Sequence, residues 1–185
     1  HKVLRADLAK LDRDSLASLG VTGRIDVVAG GPPCQGFSIQ RIGRDIDDRN
    51  DLVLGFGRVV TELCPQMFLM ENVPGLLGQR GREIAARFVQ EVAAAGYETR
   101  NCIIDAANFG VPQFRRRVFF IGWQSTMPGE FCFPEPIADE SSFKTVRDAI
   151  GDLPSPPEDF SPTPGDPLHR RMRLSPKNLE RLALI

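Results

Sequence analysis

The chain has 185 residues, is 42% hydrophobic and 25% charged, and carries a net charge of −1 with four cysteines. These values suit one globular domain or slightly more. They exclude a membrane span, a secretory leader, a small disulfide scaffold and a globally basic nucleic-acid binder. Cys34, Cys64, Cys102 and Cys132 form no C-x-x-C pair, which argues against zinc and for a reduced, cytoplasmic protein. Arginine supplies most of the positive charge. Its fork of donors suits phosphates and base edges, so local patches matter more than the total.

In chain order, V-L-R-A-D-L (residues 3–8) reads as a strand fragment entered with no preceding turn. Asp12 or Asp14 is placed to cap a short helix that Gly20 ends. Ile25 to Ala29 is a short β-branched run, predicted as a buried strand. Gly30-Gly31-Pro32-Pro33 stops it abruptly and presents Cys34 at the strand's C-terminal edge, where open α/β sheets bind ligands. A lone cysteine is more often a packed core residue; the Gly-Gly-Pro-Pro frame and the polar residues after it favour function here. Residues 35–50 have no apolar period and are predicted to be a mobile loop. Leu52, Val53, Phe56, Val59, Val60 and Leu63 recur at helical spacing, closed by Pro65. Gly55 and Gly57 resemble part of a dinucleotide fingerprint but fall on that helix, which discounts them.

Residues 67–70 form a second short strand that ends at Glu71-Asn72-Val73-Pro74-Gly75. Residues 83–95 predict a helix stopped by Gly96, and residues 99–104 and 117–122 predict two further strands. The link between those two is too short for a crossover helix, so they should pair antiparallel, whereas the earlier strands alternate with helices and should be parallel. Ten of the fifteen prolines fall between Met127 and Pro176. That shift divides the chain at 123/124, with helical pieces expected only at 145–150 and 175–185, the latter opened by Ser175-Pro176.

Three chemical sites follow predicted strand ends: Cys34, Glu71 and the run Gln113-Phe114-Arg115-Arg116-Arg117. In a parallel sheet, Cys34 and Glu71 share one edge. A thiol beside a carboxyl suggests nucleophilic catalysis with an acid at hand, and the arginines could hold an anion or a carbonyl oxygen. Taken alone, Glu71 is more readily a turn residue and the arginines more readily a solvated edge.

Together these sites resemble the DNA (cytosine-5)-methyltransferases, which carry a P-C-Q nucleophile loop (Pro33-Cys34-Gln35), an E-N-V strand end (Glu71-Asn72-Val73) and a Q-x-R-x-R motif (Gln113, Arg115, Arg117), in that order. The resemblance runs from Asp7 to about Gly122, and more loosely to the end. It implies a Rossmann-like S-adenosylmethionine-dependent methyltransferase fold, an α/β fold with a mostly parallel sheet and an antiparallel last hairpin. It further implies transfer of a methyl group from S-adenosyl-L-methionine, leaving S-adenosyl-L-homocysteine, to C5 of a flipped-out cytosine in double-stranded DNA. Cys34 would add to C6, Glu71 would hold N3 and the exocyclic amine and serve as the acid if buried, and Arg115 and Arg117 would hold the ring O2 and a nearby phosphate or carboxylate. Gln35, Asn72 and Gln113 would contact substrate, and Asp7, Leu8, Pro33 and Leu52 would face the cofactor. No metal is implied. Residues 35–50 would be the lid that closes on the base.

The resemblance also implies a bacterial modification enzyme, cytoplasmic and working on the nucleoid, with a cognate restriction endonuclease as system partner without direct contact. The family's Gly-rich first motif, its target-recognition domain and its last motifs have no counterpart here. The expectation is therefore a partial catalytic domain over 1–123, with 124–185 a Pro-rich connection towards a target-recognition domain, and no activity from these residues in isolation. Asp7 stands in A-D-L where the family more often has G-D-I. The same chemistry on RNA such as tRNA, and a non-catalytic DNA-binding remnant, are the alternatives; a cysteine hydrolase is disfavoured because neither His1 nor His169 sits in a pairing motif with Cys34.

Overall fold

The computed structural model describes Val3, Arg5, Asp7 and residues 11–33 and 51–183. The expected first strand lies largely outside the described residues, and the 35–50 loop wholly so. Asp12 caps α1 (Arg13–Ser18): its carboxylate accepts from the Ser15 N–H at 2.8 Å, while the Ser15 hydroxyl oxygen accepts from the Asp12 N–H at 2.9 Å. Two donors that a helix start leaves open are thus satisfied reciprocally. The Ser15 N–H, then its hydroxyl, hold the Asp12 carboxyl below its ordinary range. Gly20, at φ 82, turns the chain out of the helix.

The next elements are β1 (Val27–Gly30), α2 (Asp51–Leu63), β2 (Met67–Asn72), α3 (Arg82–Ala94), β3 (Tyr97–Asp105) and β4 (Arg116–Gln124). Each predicted element from the 25–29 strand to residue 122 is present, with ends moved by a few residues, but β1 is not buried as predicted: exposed and half-buried positions alternate along it, because among the described strands it pairs on one side only. A 3-10 turn at Pro74–Leu77, which buries Leu76, has no counterpart in the periodicity. The sheet order is β1-β2-β4-β3. β1 and β2 are parallel, and β4 is antiparallel to both β2 and β3. Of the four described strands, three therefore run one way and β4 runs against them. The antiparallel pairing of the last two strands is as predicted; the insertion of β4 between β2 and β3 is a feature of the structure alone.

One phase of the strands supplies the core. Phe68 and Met70 of β2 and Val118 and Phe120 of β4 meet Val53, Phe56 and Val60 of α2 and Ala85, Phe88 and Val92 of α3. Phe88 stands edge-on to Phe68 and to Phe120, each at 5.7 Å between centroids. Such pairs add about 0.5–1.5 kcal/mol each beyond the area they bury. Gly122 faces Phe68 across the ladder, where a Cβ would lie 2.0 Å from the ring, so only glycine fits. The Tyr97 hydroxyl donates to the Pro65 carbonyl, and burial raises its pKa above the ordinary 10.0.

Residues 124–144 continue the same unit. Arg100 donates to the Phe131 carbonyl at 2.9 Å, pairs with Glu130 at 3.0 Å and lies 5.8 Å from the Trp123 ring centroid. Asn108 donates to the Ala138 carbonyl at 3.1 Å. The chain divides into two compact units, His1–Lys144 and Thr145–Ile185. The second holds α4 (Val146–Ile150), capped by Thr145, and α5 (Pro176–Leu182), capped by Ser175 with a proline in its first turn. No described helix is long and apolar enough to cross a membrane.

Candidate active site

The parallel register pairs Gly30 with Met70, so Gly31 and Glu71 follow side by side at the carboxyl ends of β1 and β2. Oε1 of Glu71 accepts from Arg115 Nη2 at 3.2 Å and forms an ion pair with Arg117, whose Nε lies 2.9 Å away. The Arg115 bond is charge-assisted, stronger than a neutral one. The other oxygen, Oε2, faces the neighbouring strand end: a Cβ on Gly31 would lie 3.4 Å from it. The Glu71 side chain is 32% exposed. Two guanidiniums hold it.

The ladder explains why the arginines arrive there. Phe119 pairs with Glu71, and Arg117 stands two residues earlier on the same face of β4, the diagonal distance a long side chain spans. Arg115 is fixed through its backbone: its N–H donates to Asp105 Oδ1 at 3.0 Å, its carbonyl accepts from the Ala106 N–H at 3.1 Å, and Asp105 Oδ1 also accepts from the Ala107 N–H at 3.2 Å. Asp105 caps the 3-10 turn Ala106–Phe109 and anchors the arginine run at once. The sequence reading did not single it out. Its signal is an aspartate closing a strand just before a short turn that ends in Gly110 at φ 78.

Asn72 is buried. Its amide N–H donates to the Pro32 carbonyl at 3.2 Å and its carbonyl oxygen accepts from the Val73 N–H at 2.9 Å. It ties the Pro-Pro turn to the end of β2. Pro32 is buried, whereas Pro33, Gln113 and Asp7 are exposed and Leu52, at the start of α2, is half-buried. The structure thus brings Glu71, Arg115 and Arg117 together, sets Asn72 and Gly31 beside them, and leaves Gln113 on the exposed loop before β4. Cys34, Gln35 and Leu8 lie outside the described residues. Among the described residues no cluster of His, Cys, Asp or Glu could hold a metal ion.

A family model of the C-5 cytosine-specific DNA methylases matches residues 2–179. The chain belongs to this family. It is 42% identical over 157 residues to the Type II methyltransferase M1.HphI of Haemophilus parahaemolyticus, covering 83% of this chain and 41% of the relative. It is likewise 42% identical over 156 residues to the Type II methyltransferase M.AgeI of Thalassovita gelatinovora, covering 74% of this chain and 36% of the relative. A crystal structure of an E. coli prophage-encoded protein, assigned as a DNA modification methyltransferase, superposes with a TM-score of 0.67 at 32% identity over 80% of this chain and 41% of that one. The chain therefore spans about two fifths of these relatives. As a C-5 cytosine methylase family member it carries part of a Rossmann-like methyltransferase fold, and Glu71, with Arg115 and Arg117 against it, lies at the carboxyl end of β2, the kind of edge at which open α/β sheets bind ligands.

Proposed function

We propose that this chain supplies the base-side machinery for methyl transfer to C5 of a flipped-out cytosine in double-stranded DNA, in a bacterial restriction-modification setting. The observation that carries the reading is the Glu71 carboxylate at the end of β2, gripped through Oε1 by Arg115 and Arg117, with Oε2 towards the Gly31 end of the P-P-C-Q turn. Family membership and the Type II relatives support the reaction class. Cytosine C5 is a poor nucleophile. Addition of the Cys34 thiolate to C6 forms an S–C6 bond and turns the ring into an enamine, which makes C5 nucleophilic. Charge that builds on the ring is relieved at N3, where Glu71 donates its proton, and Arg115 and Arg117 stabilise the ring O2. When C5 later loses its proton to a water molecule, the N3 proton returns to the Glu71 carboxylate, the S–C6 bond breaks and Cys34 leaves as the thiolate.

Asp7, Pro33 and Leu52 would hold the adenosine of S-adenosyl-L-methionine, with Leu8 beside them. An exposed proline, a half-buried leucine and an exposed carboxylate suit a purine with one amine to bind. When bound, that cofactor supplies an electrophilic methyl group. Asn72 acts by holding the turn under Cys34, while Gln35 and Gln113 reach the substrate. Residues 1–123 carry the chemistry, and 124–185 lead towards target recognition. The enzyme works in the cytoplasm, on the nucleoid, and its cognate endonuclease shares the DNA site without touching it.

The test uses the full-length protein, cofactor and a duplex containing 5-fluorocytosine, in which C5 cannot lose its substituent. A covalent protein–DNA adduct is expected, and Cys34→Ser should abolish it. An adduct that survives in Cys34→Ser, or maps to another cysteine, overturns the nucleophile. Methyl transfer to a tRNA transcript in preference to duplex DNA overturns the substrate.

A further inference from the structure

The second unit holds a cluster of cations that the methyl-transfer chemistry does not use. Phe160, Arg170, Arg171, Met172 and Arg173 line a recess of about 200 Å³. Three guanidinium-bearing residues around one recess repel each other unless something neutralises them. Arg171 is neutralised, pairing with Glu158 at 3.3 Å and donating to the Pro156 carbonyl at 3.2 Å. Arg173 is held by its face, its guanidinium 5.2 Å from the Phe160 ring centroid. Among the described residues neither Arg170 nor Arg173 has an ion-pair partner. The other nearby acids are committed to their own turns: Asp159 accepts from the Ser161 N–H and hydroxyl, and Asp166 accepts from the Leu168 N–H.

The run is also anchored. Thr163 donates through its N–H and its hydroxyl to the His169 carbonyl, each at 2.9 Å, and its hydroxyl lies 2.9 Å from His169 Nδ1. The cations are thus presented from a fixed turn, and little ordering is left for a ligand to impose.

We infer that this recess is a phosphate site, and that its occupant is a phosphodiester of the DNA backbone. Two unpaired guanidiniums on a fixed turn with an aromatic wall match the planar, forked recognition of phosphate oxygens. Such a contact positions the duplex without reading its sequence. The occupant's being DNA rests on the function proposed above; the anion site itself does not.

The experiment measures binding of the full-length protein to a labelled duplex by fluorescence anisotropy over a series of KCl concentrations. Each phosphate contact contributes about 0.9 to the slope of log K against log salt. Arg170→Gln with Arg173→Gln should make the slope shallower by about 0.9 and weaken binding to unrelated duplexes alike. Arg170→Lys with Arg173→Lys should keep most of the slope, and Arg24→Gln, an exposed change in the first unit, should leave it unaltered. An unchanged slope in the double Gln variant overturns the proposal, as does an equal loss in Arg24→Gln. Inorganic phosphate that stabilises the wild type but not the double variant, with no change in DNA slope, overturns DNA as the source and leaves a small-anion site. Trapping on fluorocytosine duplex at low salt separates this from the parent reading: a shallower slope without any adduct in the wild type keeps the phosphate site and removes the chemistry, and an adduct with an unchanged slope does the reverse.

Discussion

At the scale of single residues, the site turns on how one carboxylate is shared. Glu71 gives Oε1 to Arg115 and Arg117 and directs Oε2 towards Gly31. Gly31→Ala would place a methyl group 3.4 Å from Oε2, an ordinary contact that costs the fold about 0.5 kcal/mol or less. It would nonetheless occupy the space that the proposed function gives to a base edge. The expected outcome is an unchanged denaturation midpoint with fluorocytosine trapping abolished; normal trapping would show that Oε2 is not the face presented to substrate. Arg117 makes the shorter contact and is the less exposed of the two arginines, 26% against 48%. Arg117→Ala should slow trapping by about 10²–10³-fold, the scale of losing one preorganised donor. The effect should exceed that of Arg115→Ala, and the reverse order would assign the main contact to the exposed arginine.

At the scale of elements, the seam between β1 and β2 depends on Asn72. Its amide is the buried link between the Pro32 carbonyl and the Val73 N–H. Asn72→Ala leaves both groups without that partner and should cost about 1–3 kcal/mol in a urea melt; a midpoint equal to wild type would mean that water replaces the amide. Much at this scale was legible in the sequence. Asp12, one of two aspartates placed to cap α1, and Ser175 cap their helices, and α2 and α3 follow their apolar spacing, because caps and periodicity are local. The 3-10 turn at Pro74–Leu77 was not legible, since four residues are too few to show a period. Nor was the meeting of Glu71 with Arg115 and Arg117. Each sits at a strand end that could be read, but their contact depends on β4 lying between β2 and β3, a long-range choice set by packing of the whole sheet. Asp105 escaped for the same reason: its bond to the Arg115 N–H spans ten residues of loop.

At the scale of the whole molecule, stability should have an acid and an alkaline limit with separate causes. Asp12 is lowered by the Ser15 N–H and hydroxyl, Asp139 by the hydroxyls of Ser141 and Ser142, and Asp159 by the Ser161 hydroxyl and N–H. A depressed carboxyl contributes stability above its ordinary value of 3.8, lost as pH falls through the lower folded value. Tyr97 is raised by burial, so its contribution is complete below 10.0 and lost as pH rises through the raised folded value. Melting temperature against pH should therefore fall at both ends. Tyr97 is the sole tyrosine, so an absorbance titration of tyrosinate reads it directly; a midpoint at or below 10.0 would contradict its burial.

The insertion of β4 between its two neighbours also fixes an order of events on the ribosome. Until β4 emerges, β2 has one bare edge and β3 has no strand to join. Arg117 follows Glu71 by 46 positions, roughly 2–9 s at ordinary rates of synthesis. Through that interval the carboxylate waits without its guanidinium at the end of an open edge, the kind of surface that recruits chaperones or stray strands. A chain stopped after Val111 should be cut rapidly by protease within residues 67–105, whereas the 185-residue chain resists there. Equal resistance of the two would mean that the sheet closes without its last strand.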